Sequence, residues 1–292
     1  MLLFSIHTSY IHNENEKLIQ TYQELQQSYE TLETEKSQMV QEKEQLEKEL
    51  EALKNENDSY QKEIESLKTP IAQNKNDTKT AAQNKTAYLT FDDGPSPNTI
   101  KILDVLKKYD IKATFFVIGS ETETSKKIYK RIAEEGHALG NHTYSHNYNK
   151  IYSSVESYME DTWKLEALLD EAAGVKPKII RFPGGSKNQA STRTGGKGFM
   201  AELITRLQEE GYQYFDWNVT SKDASAVTQE KEIIIRSVLE GVQGKKDAII
   251  LFHDNAPKTT TVEALPEIID ALKEKGYKFE VLSESSYYVH HR

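Results

Sequence analysis

The sequence predicts an α/β domain, a parallel sheet covered by helices and closed wholly or partly into a barrel, preceded by an N-terminal coiled-coil helix. Three observations predict it. From Thr86 onward, short β-branched or aromatic runs alternate with amphipathic helical stretches, the pattern of a parallel sheet with helical crossovers. Gly136, Gly174, Gly211 and Gly276 fall just past four of those helical stretches, where a helix stop is expected. Before Thr86, residues 14–68 carry apolar side chains at alternating steps of four and three.

The elements follow in chain order. In 14–68 the heptad series runs Leu18, Tyr22, Leu25, Tyr29, Leu32, Lys36, Met39, Lys43, Leu46, Leu50, Leu53, Asn57, Tyr60, Ile64, Leu67, and twelve of its 15 positions are apolar. The three polar ones share heptad position a, where Asn57 favours a two-stranded register at a cost in stability. The segment has no Gly or Pro, so residues 1–68 read as a coiled-coil stalk, with a helix roughly 80 Å long at 1.5 Å per residue. Pro70 stops it, and the polar, aperiodic 69–86 reads as a linker. Residues 87–292 read as the α/β domain. Its strands are expected at Ala87–Phe91, Ala113–Ile118, Ile179–Phe182, Tyr212–Trp217, Ala248–His253 and Lys278–Leu282. Its helices are expected near 98–109, 122–136, 153–174, 198–211, 228–243 and 260–275.

Charge and composition exclude some functions. The chain has 292 residues and a net charge of −9, which argues against a nucleic-acid partner. Residues 14–68 hold 15 acidic and 7 basic side chains, so most of the acidity belongs to the stalk. Without cysteine there is no disulfide, no thiolate-bound metal and no thiol nucleophile. The apolar start, Met1 to Ile6, is too short to span a bilayer and lacks the basic flank of a signal peptide. An anchor preceding Met1 is left open.

In a parallel α/β fold, active residues gather at the C-terminal ends of strands. Five polar clusters sit there or on adjoining loops. Thr90-Phe-Asp-Asp-Gly-Pro-Ser96 puts Asp92 and Asp93 at a strand end, where alternation points neighbours apart and lets them take two roles. On its own it reads equally as an Asp-Gly turn and a helix cap. His142 and His146, at i and i+4, can face one metal if the backbone there is helix-like; otherwise they are surface histidines. With Asp93 they form a His/His/carboxylate set that leaves positions open for water. Arg181-Phe-Pro-Gly-Gly185 offers a guanidinium fork for a carboxylate and glycines for close backbone approach. Asp216 to Asp223 offers Trp217 as a sugar platform and a carboxylate for a histidine. Ile249 to Asp254 places His253 at the mouth of an apolar strand, as a general acid must be, with Asp254 as an alternative group to orient it.

With TFDDGPS, HTYSH, RFPGG, the Trp217–Asp223 stretch and LFH in this order, residues 86–285 resemble the polysaccharide deacetylases of carbohydrate esterase family 4. The resemblance implies a distorted (β/α) barrel that removes acetyl groups from acetylated glycans. It implies that Asp93, His142 and His146 bind a divalent metal, commonly zinc, with cobalt or manganese as alternatives. It further implies Asp92 as general base, Arg181 as the group holding Asp92, and the Gly184 N–H in the oxyanion hole. His253 becomes the general acid, Asp223 the carboxylate that tunes it, and Leu251 a wall for the acetyl methyl. The chain departs from the family where a Tyr is common at Gly184, a Trp at Ala224 and an Asp at Thr220. These departures bear on which glycan is preferred. Resemblance and stalk together point to peptidoglycan N-acetylglucosamine as substrate, outside the cytoplasm. Chitin oligomers and O-acetyl xylan are the alternatives, and a non-catalytic glycan-binding module is a different class. The expected associations are a coiled-coil homodimer and contact with membrane or cell wall through the N-terminus.

Overall fold

The computed structural model describes residues 85–291 and, in the N-terminal segment, Lys17, 19–34, 36–41, 43–45, 47, 48, 50, 51 and 54. The chain divides into two units, Met1–Ala81 and Ala82–Arg292. In the first, the described residues form one helix, α1, continuous over 19–34. Tyr22, Leu25, Tyr29, Leu32, Met39 and Leu50 of the heptad are all exposed on it. Ion pairing such as Lys43 Nζ to Glu47 Oε1 (3.6 Å) runs along its surface. The heptad residues Leu18, Leu46, Leu53, Asn57, Tyr60, Ile64 and Leu67, and the linker over 69–84, lie outside the described residues.

The second unit alternates strand and helix: β1 (Lys85–Asp92), α2 (Pro97–Tyr109), β2 (Thr114–Val117), α3 (Glu123–Glu134), β3 (Ala138–Asn141), α4 (Tyr148–Ile151) and α5 (Val155–Ala173). There follow β4 (Ile179–Ile180), α6 (Gln189–Gly195), α7 (Phe199–Glu209), β5 (Gln213–Tyr214), β6 (Val219–Thr220), α8 (Lys231–Gly241), β7 (Asp247–His253), α9 (Thr259–Glu274) and β8 (Tyr277–Phe279). All strand pairs are parallel, in the order β5-β4-β3-β2-β1-β7-β6, with β8 beside the start of β1. The sheet is therefore a parallel half-barrel. β1 begins at Lys85, so its first residues extend into the stretch read from sequence as linker. The C-terminal tail lies against the connection between β5 and β6, where Asp216 N donates to Val289 O (2.9 Å) and His290 stacks on Tyr214.

Alternation along the central strands sorts their side chains into two layers. Ala87, Leu89 and Phe91 of β1 point outward with Phe115 of β2 and Ala248, Ile250 and Phe252 of β7, into the core beneath the helices. Phe91 stacks between Phe115 (5.1 Å) and Phe252 (5.4 Å). Each such buried ring contributes about 1.5–3 kcal/mol. The opposite face looks into the barrel. Its floor is apolar, with Tyr88, Phe116, Ile179, Phe215, Ile249 and Leu282. One step further along the strands the same face turns polar, with Thr90, Asp92 and His253. Sequence alternation thus builds a dry floor with a chemical layer above it.

Strand ends and caps fix the loops above that layer. Ser96 caps α2 in a reciprocal box with Thr99 and is followed by Pro97 at the first helical position. Thr122, Asn147, Ser154 and Asn188 cap α3, α4, α5 and α6 through their side chains. Gly136, Gly174, Gly211 and Gly276 all take positive φ just past helices, as their positions predict. Two short strands, β3 and β6, and two short helices, α4 and α6, were not expected from sequence. Gly140 in β3 is required because a Cβ there would lie 2.4 Å from the Phe116 ring.

Candidate active site

Asp93, His142 and His146 come together at the C-terminal mouth of the sheet, with one ligand atom of each within 4.8 Å of the others. Asp93 Oδ1 lies 3.5 Å from His142 Nε2 and 3.3 Å from His146 Nε2. Neither backbone arrangement is the one expected from sequence. Strand β1 ends at Asp92, and Asp93 turns with φ 77°, so strand alternation does not separate the two carboxylates. The His142–His146 segment is not helical: Thr143 and His146 both take positive φ, and this bend brings the rings to 5.1 Å. Buried Asp161 braces the bend, accepting from Ser145 N (2.7 Å) and Lys150 Nζ (2.8 Å). Asn141 Oδ1 accepts from Thr143 N (2.9 Å).

The donor set, one carboxylate and two imidazoles, fits a divalent metal ion. Ligand bonds of 2.0–2.1 Å in a tetrahedron place donors about 3.3 Å apart, close to the two separations from Asp93. His142 Nδ1 lies 2.8 Å from Arg181 O, so as the donor there it leaves Nε2 with a free lone pair facing Asp93. Burial works to raise the Asp93 pKa, but His142, His146 and His253 overcome it and hold the carboxyl well below the usual range. A carboxylate charged under these conditions is what a cation requires.

Asp92 is buried beside this cluster, its Oδ2 3.8 Å from His142 Nε2. Its other oxygen accepts from Arg181 Nη1 at 2.8 Å. Arg181 is fully buried and donates to four acceptors: besides Asp92, Nη1 meets Thr90 Oγ1 (2.7 Å), Nε meets Phe215 O (3.0 Å) and Nη2 meets Asp216 O (3.2 Å). Its guanidinium lies over the Phe116 ring, 4.2 Å from the centroid. Removing one partner of a buried pair leaves an uncompensated charge and costs about 3–5 kcal/mol. Arg181→Met is expected to lose stability on that scale, read from the urea midpoint; an unchanged midpoint would contradict the pairing.

His253, at the end of β7, donates from Nδ1 to Asp223 Oδ1 (2.8 Å), and its backbone N–H donates to Asp223 Oδ2 (2.7 Å). Burial disfavours the imidazolium, but Asp223, with further help from Asp92 and Asp93, raises its pKa to about 9. Of the two carboxylates considered from sequence, Asp223 is the one against His253. Asp254 instead takes the Thr99 hydroxyl (2.5 Å) and sits under Gly94, where a Cβ would collide with it. Thr261 Oγ1 donates to Asp223 Oδ2 (3.0 Å), and Lys258 Nζ ties down the loop through the carbonyls of Asp223, Ala226 and Val227.

Gly184 takes φ 77° in the loop after β4. The loop is held by Asp216, which accepts from Ser186 N (2.8 Å) and Ser186 Oγ (2.5 Å). Trp217 is half-buried behind this loop: its ring lies 3.0 Å from the place of a Cβ on Gly185 and packs edge-on to His291 at 4.9 Å. Leu251 is buried in β7, on the same face as His253 two residues on. Tyr148 also borders the site, packed edge-on to His146 at 5.4 Å. Burial and the charges of Asp93 and Asp92 push its phenol up to about 12.

Thr90 opens the first of the five clusters, but Thr99, Asp161, Lys258 and Thr261 carry no sequence signal of their own. Each is a single polar residue, ordinary in composition, that meets the site through contacts between distant segments. Tyr148 had a local hint, its place two residues after His146.

The family model described as polysaccharide deacetylase matches residues 79–197. A peptidoglycan-N-acetylglucosamine deacetylase of Bacillus cereus is 36% identical over 210 residues, 70% of this chain and 72% of that one. A bifunctional xylanase/deacetylase of Pseudobutyrivibrio xylanivorans is 33% identical, over 72% of this chain and 32% of the relative. Among solved structures, the catalytic domain of a peptidoglycan N-acetylglucosamine deacetylase from Eubacterium rectale aligns with a TM-score of 0.68 at 38% identity. That alignment covers 72% of this chain and 93% of that one.

Proposed function

Because the chain belongs to the polysaccharide deacetylases of carbohydrate esterase family 4, we propose that it hydrolyses the N-acetyl group of N-acetylglucosamine in peptidoglycan, using a divalent metal held by Asp93, His142 and His146. The chain is an enzyme, a hydrolase of that family. The observation that carries the finer reading is the convergence of Asp92 on Arg181, of Asp93 on two histidines, and of His253 on Asp223, at one mouth of the barrel. The names of relatives in Bacillus cereus and Listeria monocytogenes support the peptidoglycan substrate.

When bound, a zinc-class ion supplies Lewis acidity, bringing a water pKa toward ~7 and polarising the acetyl carbonyl. The protein's own groups perform the proton transfers. Asp92, fixed by Arg181, takes a proton from the water as its oxygen bonds to the acetyl carbon. The Gly184 N–H donates to the oxygen that becomes negative. His253, held protonated by Asp223, gives its proton to the amide nitrogen as the C–N bond breaks. Acetate and a glucosamine amine leave. Leu251 forms a wall for the acetyl methyl, and Trp217 an aromatic wall of the glycan cleft.

The test strips the protein with chelator, restores zinc, and measures acetate release from purified peptidoglycan. Release should vanish on stripping and return with one equivalent of metal. Release that survives stripping would remove the metal from the mechanism. A second reading, O-acetyl xylan esterase, is favoured by the xylanase/deacetylase relative. A panel of amide and ester substrates separates the two. Membership of a hydrolase family sets the non-catalytic binding module aside.

The stalk completes the proposal. Among the described residues, no helix is long and apolar enough to cross a membrane. The exposed stripe of α1 supports pairing with a second copy in a coiled coil that holds the enzyme near the cell wall, outside the cytoplasm. Light scattering should give a dimer for the full chain and a monomer for Leu25→Lys with Leu32→Lys. A wild-type monomer would remove the coiled coil.

A further inference from the structure

We propose that the Tyr148 hydroxyl is a second hydrogen-bond donor to the acetyl oxygen, beside the Gly184 N–H; this rests on the deacetylase reading of the site. The starting point is a contact. A Cβ added to Gly184 would lie 3.1 Å from Tyr148 Oη and 3.1 Å from Asn188 Cβ. The phenol therefore occupies the space a larger residue at 184 would need. Gly184 answers both to its positive φ and to this hydroxyl.

The hydroxyl is held in place but not used. The Tyr148 ring is fixed edge-on between His146 (5.4 Å) and Tyr152 (5.8 Å). Tyr152 in turn donates to Pro183 O (2.7 Å) and accepts from Asn188 Nδ2 (3.2 Å), so the same wall is tied to the Gly184 loop. Among the described residues, Tyr148 Oη has no hydrogen-bond partner, and the Gly184 N–H has none in the backbone network around it. Half-buried polar groups are normally satisfied by protein, water or ligand. The half-buried Tyr148 hydroxyl lies beside Gly184, which is exposed, so an acceptor arriving from outside the protein can reach both donors.

On the deacetylase reading, that acceptor is the acetyl oxygen of the substrate. The carbonyl oxygen gains negative charge as water attacks, and preorganised donors act most strongly where charge develops. A sugar hydroxyl is the other conceivable partner. It would not change in charge along the reaction, so its loss would appear in KM rather than kcat.

Tyr148→Phe keeps the ring and its packing and removes only the hydroxyl. The experiment uses the full chain loaded with zinc. It measures kcat and KM on an N-acetylglucosamine oligomer, metal content, and the affinity for acetate by calorimetry. The expected result is a fall in kcat of about 10–100-fold, because one oxyanion donor among several is lost. KM and metal content should stay unchanged, and acetate should bind about tenfold more weakly, some 1.4 kcal/mol. Unchanged kcat and acetate affinity would overturn the proposal, as would a change in KM alone or a loss of metal. If the wild type releases no acetate from any glycan, the substrate reading fails, and the acetate-binding arm still decides the role of Tyr148.

Discussion

Replacing Asp92 with Asn is expected to cut acetate release by about 10²–10⁴-fold, the range lost with a general base, while the protein still binds one divalent ion. The separation of these effects follows from the geometry. The ion's candidate ligands are Asp93, His142 and His146, and the first of these lies 3.3 Å and 3.5 Å from the two histidines without help from Asp92. Asp92 faces the same space, 3.8 Å from His142, but its second oxygen is committed to Arg181. An amide of the same shape keeps a carbonyl oxygen for Arg181 and loses the capacity to take a proton. The buried guanidinium then lacks its counter-charge, although Thr90, Phe215 and Asp216 still accept from it. The variant should therefore be folded but less stable than wild type. Metal titration, urea unfolding and acetate release on one preparation test all three statements. Near-normal acetate release would remove Asp92 as base; loss of metal together with activity would make it a ligand.

The strong outlines of this fold were legible because they rest on local pattern. β1 and β7 are long apolar runs, and the glycines after α3, α5, α7 and α9 mark their ends. β3 has only four residues, Ala138–Asn141, and ends in Gly140 and Asn141, which mark a strand-to-loop change rather than a strand. Only the three-dimensional contact with Phe116 explains why glycine belongs in that strand. β6 has two residues, too few for any period. The site was legible as a set of residue types and less so as geometry. Asp92 and Asp93 were read through strand alternation, and His142 and His146 through a helical turn. Both pairs are in fact brought together by left-handed backbone at Asp93, Thr143 and His146. Positive φ at a non-glycine residue leaves no signature in composition or spacing. The supporting groups were hidden for a related reason. Thr90 to Arg181 and Thr261 to Asp223 are contacts between segments far apart in sequence, made by residues that are unremarkable alone.

The last expectation concerns the other side of the scissile bond. His253→Ala should lose about 10²–10⁴-fold in turnover, because an amine departs poorly without a proton. A finer variant isolates the partner. In Asp223→Asn the histidine remains, but the charge that holds it protonated is gone. Burial opposes the imidazolium in His253, and it is chiefly Asp223 that outweighs burial and raises the pKa from 6.5 to about 9. The sign is that of a raised histidine: the charged form, and the stability it adds, is complete below the unfolded value of about 6.5 and is lost as pH rises through about 9. A dication at Asp93 repels the imidazolium and draws the wild-type value downward. The comparison between variant and wild type, with the same metal bound, is unaffected by that repulsion. Without Asp223 the largest of the charges that offset burial is gone, and the pKa of the ring falls. The alkaline limb of kcat should therefore move down by more than about one pH unit in Asp223→Asn, with activity recovered in part at acid pH. The two hydrogen bonds that the Asp223 carboxylate accepts, from the ring and from the His253 backbone N–H, also fix where the imidazole points. An asparagine oxygen can keep one of them. Aspartate at 223 thus does two things, orientation and charge, and only the second moves the pH limb. A variant whose turnover falls equally at every pH would show that orientation alone is at stake, and the tuning role assigned to Asp223 would be lost.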